Sequence, residues 1–159
     1  MIEHEASIHL NRPVEQVFAY LADIRNLATW QANILEQEQL TEGLPRVGTR
    51  FREIRRLGRR PTEILAELTV FEPDKRFATK TLTRPQVTVS YSFEPEGGGT
   101  RLLYEFVMVT SGMMRLFEPL IARALKKQSV ADFERLKRVL EVEHQAASSA
   151  LPSGKMSAS

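Results

Sequence analysis

Residues 113–143 read MMRLFEPLIARALKKQSVADFERLKRVLEVE, the longest periodic run in the chain. At 100° per residue Met113, Phe117, Leu120, Ile121, Ala124, Gln128 and Ala131 fall on one face, while Arg115, Arg123, Lys126, Glu134 and Lys137 fall away from it. A helix of about thirty residues is about 45 Å long. That length suits a small domain only if something broad lies beneath it, and the rest of the chain supplies a run of strands. Pro119 lacks a backbone donor and either starts the main helix or kinks it. Beyond Gln128 the large residues Phe133, Leu136, Val139 and Leu140 sit about a quarter turn from the earlier face, so the two halves need different partners.

Working outward, residues 34–110 show strand patterns broken by turn chemistry at Gly43-Leu44-Pro45, Gly58, Pro73-Asp74, Arg84-Pro85 and Gly97-Gly98-Gly99. Strands are expected at 34–39, 49–57, 62–71, 76–83, 87–94 and 101–110. Their short connections imply an antiparallel meander. Before them, residues 2–10 alternate, with Ile2, His4, Ala6, Ile8 and Leu10 toward the core. Asn11 is placed as a helix cap ahead of Pro13, and Val14, Val17, Phe18 and Leu21 follow at helical spacing. A second short helix from Asp23 carries Ile24, Leu27 and Trp30. The architecture is therefore α+β, in the order β-α-α-β6-α. It forms a single domain over residues 1–144, followed by a small, polar tail at 145–159 expected to be flexible.

The 159 residues are 42% hydrophobic and 26% charged, with a net charge of +2, all ordinary for a soluble globular chain. With no cysteine, disulfides, thiolate metal sites and a cysteine nucleophile are excluded. His4, His9 and His144 lie in no ligand-like spacing, so neither a metal site nor any other cofactor is expected. The acidic start MIEHEASIHL and the lack of a long apolar run point to the cytoplasm. Nothing resembles a nucleotide fingerprint, since the glycines at 97–99 lead into a strand, and no nucleic-acid partner is expected. Six arginines between Arg50 and Arg60 form either solvated surface or a contact for anionic lipid or a partner protein.

Taken together, IHLNRPVEQVFAYLADIRNLATW at 8–30, Val47-Gly48-Thr49, Phe71-Glu72-Pro73, Gly99-Thr100-Arg101, Leu136-Lys137 and Glu141 resemble the START-like, helix-grip (SRPBCC) superfamily. Within it, the likeness is to the polyketide cyclase/dehydrase and lipid-transport group. These are scaffold positions and none is catalytic. The resemblance implies a curved antiparallel sheet gripping the C-terminal helix around an internal cavity. It also implies a hydrophobic ligand of lipid, polyketide or aromatic type, and in a minority of members cyclase or aromatase activity. Fold alone does not choose among these.

Strand parity and the helix face give the cavity wall: Phe51, Phe77, Thr79, Tyr91, Leu102, Tyr104, Phe106, Phe117, Leu120, Ile121, Ala124 and Gln128, with Thr81 also inward. Gln128 interrupts an apolar face at its centre and is expected to touch ligand or ordered water. Either phase of the strand 49–57 buries charge or exposes apolar side chains, and the better one turns Phe51, Glu53 and Arg55 inward. Glu53 and Arg55 then either polarise a bound keto group as an ion pair or lie exposed. His4 is the third acid–base candidate, either catalytic or satisfied by a neighbour. The expected function is binding or transport of a small hydrophobic molecule without turnover. The alternative is a cyclase/aromatase or dehydratase using His4, Glu53, Arg55 and the tyrosines.

Overall fold

The computed structural model describes residues 1–149, and their side chains through residue 142. Seven strands, β1 (Ile2–Leu10), β2 (Ile34–Gln39), β3 (Arg50–Leu57), β4 (Arg60–Glu72), β5 (Arg76–Thr81), β6 (Gln86–Glu96) and β7 (Gly99–Val109), form one sheet. Every pairing is antiparallel, in the order β1-β7-β6-β5-β4-β3-β2. The six later strands are the expected meander, and β1 closes onto its last member with Ile2 opposite Met108 and Leu10 opposite Thr100. Gly99 allows this approach, because a Cβ there would lie 2.4 Å from the Leu10 carbonyl oxygen.

Period-two alternation fixes which side of each strand is buried. Phe51, Ala66, Leu68, Phe77, Tyr91, Phe93, Leu102 and Phe106 all turn into the concave face. A bulge between Leu68 and Val70 adds one residue to β4, so that Phe71 also reaches the core.

Between β1 and β2 lie α1 (Val14–Ala22), a 3-10 turn (Ile24–Asn26) and α2 (Leu27–Trp30). Asn11 does not cap α1. Its carboxamide oxygen binds His9 Nε2 at 3.0 Å, and the helix starts after Pro13 without a side-chain cap. The proline supplies the fixed φ that a helix start needs, so the cap is dispensable. Asp23 does accept the Arg25 N–H at the 3-10 turn.

A second 3-10 helix (Gly112–Phe117) leads into α3 (Glu118–Ser149). Pro119 therefore starts the long helix. Residues 145–149 of the expected tail are helical, and the rest of it lies outside the described residues. The rear of α3 is seated by Phe133, Leu136 and Leu140 in one cluster with Trp30, Phe77, Tyr91 and Leu102. Arg12 donates from Nε to the Leu140 carbonyl at 3.1 Å and from Nη2 to that of Glu141 at 2.9 Å, tying this end to the β1–α1 loop.

That seating sets the phase of the whole helix. The sequence-based face is corrected: Met113, Phe117, Leu120, Ala124 and Ala131 are exposed, and Ile121 is only half-buried. The residues turned to the sheet are Leu125, Gln128, Ser129 and Asp132, one helical step away. Bulky side chains at the rear outweigh the apolar count at the front, because a continuous helix has a single rotation.

A candidate ligand cavity under the long helix

Between the concave sheet and the front half of α3 lies a cavity of about 220 Å³. Ile64, Val87, Val89, Phe106, Met108 and Leu125 supply apolar parts of its wall. A second space of about 80 Å³ lies toward α1 and α2, against Leu21, Leu27, Trp30, Phe51, Phe71 and Phe77. Gln31, Glu53, Arg55, Thr79 and Tyr91 line both, so the two adjoin across one polar partition.

Arg55 is the centre of that partition. Its Nε donates to Glu53 Oε2 at 2.7 Å, and Nη1 donates to Gln31 Oε1 at 2.8 Å and Asn33 Oδ1 at 3.2 Å. Side-chain exposure is only 21% for Arg55 and 13% for Glu53, so the pair is largely shielded from water. Both N–H groups of Nη2 lack a protein acceptor among the described residues, yet Nη2 is not among the sealed, unpaired polar atoms. A guanidinium carries five donors, and here two remain uncommitted in a residue that lines both spaces.

Around it stand groups whose protonation burial controls. Burial pushes the Tyr91 hydroxyl well above the usual tyrosine range, with Tyr104 beside it adding to the effect. Burial takes Tyr104 to about 12, so both stay protonated. Asp132 lies across from Arg55 on α3. Burial raises its carboxyl above the ordinary aspartate range, against the Ala32 N–H that it accepts at 3.3 Å. A raised carboxyl in one cavity with a guanidinium and two neutral phenols is a proton-handling set.

The residues expected at the site divide into four groups. Thr79, Tyr91, Tyr104, Phe106, Gln128, Glu53 and Arg55 line the larger space, with Thr81 beside them, and Phe51 and Phe77 line the smaller one. Leu102 is fully buried in the core cluster and lines neither. Phe117, Leu120 and Ala124 point away from the sheet, and Ile121 is not on the wall. His4 lies behind the wall: its Nε2 shares a hydrogen bond of 2.8 Å with Ser129 Oγ, and its ring meets Tyr104 edge-on. It is satisfied by packing and is not presented to the cavity.

Gln31, Asn33, Leu125, Ser129 and Asp132 are among the wall residues that sequence reasoning missed. Extending the rear stripe of α3 backward in steps of three and four from Phe133 and Leu136 reaches Ser129, Asp132 and Leu125. The arginine strip is largely self-neutralised at its start. Arg50 pairs with Glu67 at 3.1 Å, and Arg52 with Glu63 at 2.9 Å and with Glu36 and Glu38 at 3.8 Å.

A family model described as polyketide cyclase / dehydrase and lipid transport matches residues 1–141. No curated protein matches the chain. Among solved structures, the protein TTHA0849 from Thermus thermophilus superposes with a TM-score of 0.75 at 16% identity, covering 89% of this chain and 98% of its own. A START superfamily protein from Mycobacterium smegmatis gives 0.73 at 12% identity, covering 87% and 97%. The di-domain ARO/CYC BexL from the BE-7585A biosynthetic pathway gives 0.71 at 18% identity, covering 89% of this chain and 47% of that one. At such identities the likeness is one of fold.

Proposed function

Since the chain belongs to the polyketide cyclase / dehydrase and lipid transport family, we propose that it binds one small hydrophobic molecule in the cavity under α3, and holds that molecule's neutral carbonyl on Arg55. The observation that carries this reading is an apolar-walled space of about 220 Å³ interrupted by a guanidinium with two uncommitted donors. An apolar cavity of about 150 Å³ takes up benzene. A one- or two-ring aromatic ketone or a short acyl chain therefore suits the present one, and a two-tailed lipid is too large.

A neutral acceptor is favoured over a carboxylate on electrostatic grounds. Glu53 already balances Arg55, and the lining carries three carboxyl groups, Glu53, Glu63 and Asp132, against the two guanidinium groups of Arg55 and Arg84, so a further negative charge would be desolvated where acids already outnumber cations. Affinity comes from apolar burial, at about 25 cal/mol per Å² before the costs of association, and orientation comes from Arg55. With no cysteine the chain is indifferent to the redox state of its surroundings, and the cytoplasm stays our reading of its location. Among the described residues no helix is long and apolar enough to cross a membrane.

Three naphthalenes of nearly equal size test the reading by titration calorimetry: 2-acetylnaphthalene, 2-ethylnaphthalene and 2-naphthoate. A hydrogen bond to a charged donor contributes about 1.5–3 kcal/mol, so the ketone binds roughly tenfold or more tighter than the hydrocarbon, and the naphthoate binds least. Binding of none of the three overturns the cavity reading. Equal binding of ketone and hydrocarbon removes the role of Arg55.

A second reading, proton transfer of cyclase or dehydratase kind, is favoured by one observation: the raised Asp132 carboxyl shares the cavity with Arg55. Arg55 would polarise a carbonyl while Asp132 takes the neighbouring α-proton. Incorporation of deuterium from heavy water into the acetyl methyl of bound 2-acetylnaphthalene tests it. Acceleration that is lost in Asp132→Asn supports turnover, and exchange at the rate of free ketone excludes it for this probe.

A further inference from the structure

The segment that sequence reasoning placed inside the cavity is left bare on the outside of the molecule. Met113, Leu116, Phe117 and Leu120 are 75%, 77%, 50% and 67% exposed, four large apolar residues within eight positions. In the 3-10 helix residues three apart eclipse, which stacks Met113 with Leu116, and Phe117 and Leu120 follow at the same interval into α3. Scattered single leucines on a surface are ordinary, but a contiguous apolar patch marks an interaction site.

The charge around this patch selects the partner. Arg115, Arg123, Lys126 and Lys127 are all exposed, and Glu118 is the only acid from 111 to 127. Glu118 is itself engaged by the Met1 ammonium at 2.8 Å and by the Thr110 hydroxyl. Arg115 also lies within electrostatic reach of Glu118, while Arg123, Lys126 and Lys127 have no acid of their own segment beyond it. In the Arg50–Arg60 strip, by contrast, Arg50 and Arg52 are already paired with glutamates. Apolar residues at the tip of a helix, followed by cations within the next two turns, are the composition of a segment that lies in the headgroup region of an anionic bilayer.

We propose that residues 113–127 dock this protein on an anionic membrane surface, inserting Met113, Leu116, Phe117 and Leu120 at the acyl boundary with Arg115, Arg123, Lys126 and Lys127 on the headgroups. The placement is useful to the cavity, because Leu125 and Gln128 of the same helix line it. A sparingly soluble ligand then enters from the phase in which it is concentrated. Docking itself does not require the cavity to be filled.

Co-sedimentation with sucrose-loaded vesicles tests this, comparing phosphatidylcholine alone with phosphatidylcholine containing about one third phosphatidylglycerol. Each basic residue near an anionic surface strengthens binding several-fold, so the partition coefficient rises on the order of a hundredfold on the anionic vesicles and falls back in half-molar salt. The double variant Leu116→Glu/Leu120→Glu keeps the parent's circular dichroism and melting temperature, since both sites are exposed, and no longer pellets. Equal partition to both vesicle types, absence of pelleting with either, or an unaffected double variant overturns the proposal. Sedimentation equilibrium without vesicles supplies a further outcome: a dimer that the double variant dissociates makes a second copy of the chain the occupant of this patch, and refutes the membrane.

Discussion

Replacing Arg55 by methionine tests the energetics of the polar partition most directly. The change keeps much of the side-chain volume but removes the donors to Glu53, Gln31 and Asn33. It leaves the Glu53 carboxylate, 13% exposed, without its partner. Breaking a fully buried pair from one side costs about 3–5 kcal/mol. The adjoining cavity admits water to this one, which brings the expected cost to about 2–3 kcal/mol. At roughly 2–4 °C per kcal/mol for a domain of this size, the melting temperature falls by about 4–12 °C. Glu53→Gln alone costs less, about 1 kcal/mol, because the amide oxygen can still accept from Nε. With the neutral amide in place of the carboxylate, no charge is stranded by the loss of Arg55. The double variant is therefore more stable than the sum of the single effects predicts, by about 1–2 kcal/mol. Urea melts of the four proteins give this coupling. Additivity to within about 0.5 kcal/mol would show two independent surface residues and refute the partition as an energetic unit.

Asp132→Asn raises the melting temperature at neutral pH. The native carboxyl titrates above its unfolded value, so between the two the native state holds more protons and stability falls as pH rises. The advantage of the variant fades below about pH 4, and a difference independent of pH would contradict the burial of this group. Gln128→Phe fills the larger space from the helix side and lowers affinity for 2-acetylnaphthalene by roughly tenfold or more while thermal stability holds. Unchanged calorimetric affinity would take Gln128 off the wall. Gly99→Ala forces a Cβ to 2.4 Å from the Leu10 carbonyl and costs about 1–3 kcal/mol. An unaltered melt would mean that β1 yields freely at that edge.

The sheet was legible because period-two alternation needs only a short segment. Even the ambiguous strand β3 took the phase that turns Phe51, Glu53 and Arg55 inward, since the opposite phase would have put Phe51 outside. The helix was legible in extent and wrong in rotation. The 3-10 geometry of 112–117 advances about 120° per residue, so a 100° wheel carried through it misassigns Met113 and Phe117. Bulk at Phe133 and Leu136 then decides what the front half presents. Gln31 and Asn33 were out of reach for another reason: they lie between α2 and β2, where no periodicity exists, and only the tertiary approach to Arg55 gives them a role. Trp30, on the apolar stripe of α2, found its partner only in the folded chain. It stacks on Phe133 at 5.9 Å and walls the smaller space, although its buried indole N–H has no partner among the described residues.

The long helix is held unevenly. Its rear is fastened by Phe133, Leu136 and Leu140 and by Arg12 on its carbonyls, while its front rests over open space on Leu125, the Ser129–His4 bond and the contacts of Glu118 with Met1 and Thr110. Such an element has two clocks. Separating the front from the sheet breaks few contacts and is a local opening, whereas separating the rear requires the core to come apart. Amide exchange should therefore be fast before about residue 130 and slow after it. Mild denaturant that lowers global stability should leave the ligand's entry and exit rates nearly unchanged, because traffic through the cavity follows the first clock and survival of the fold follows the second.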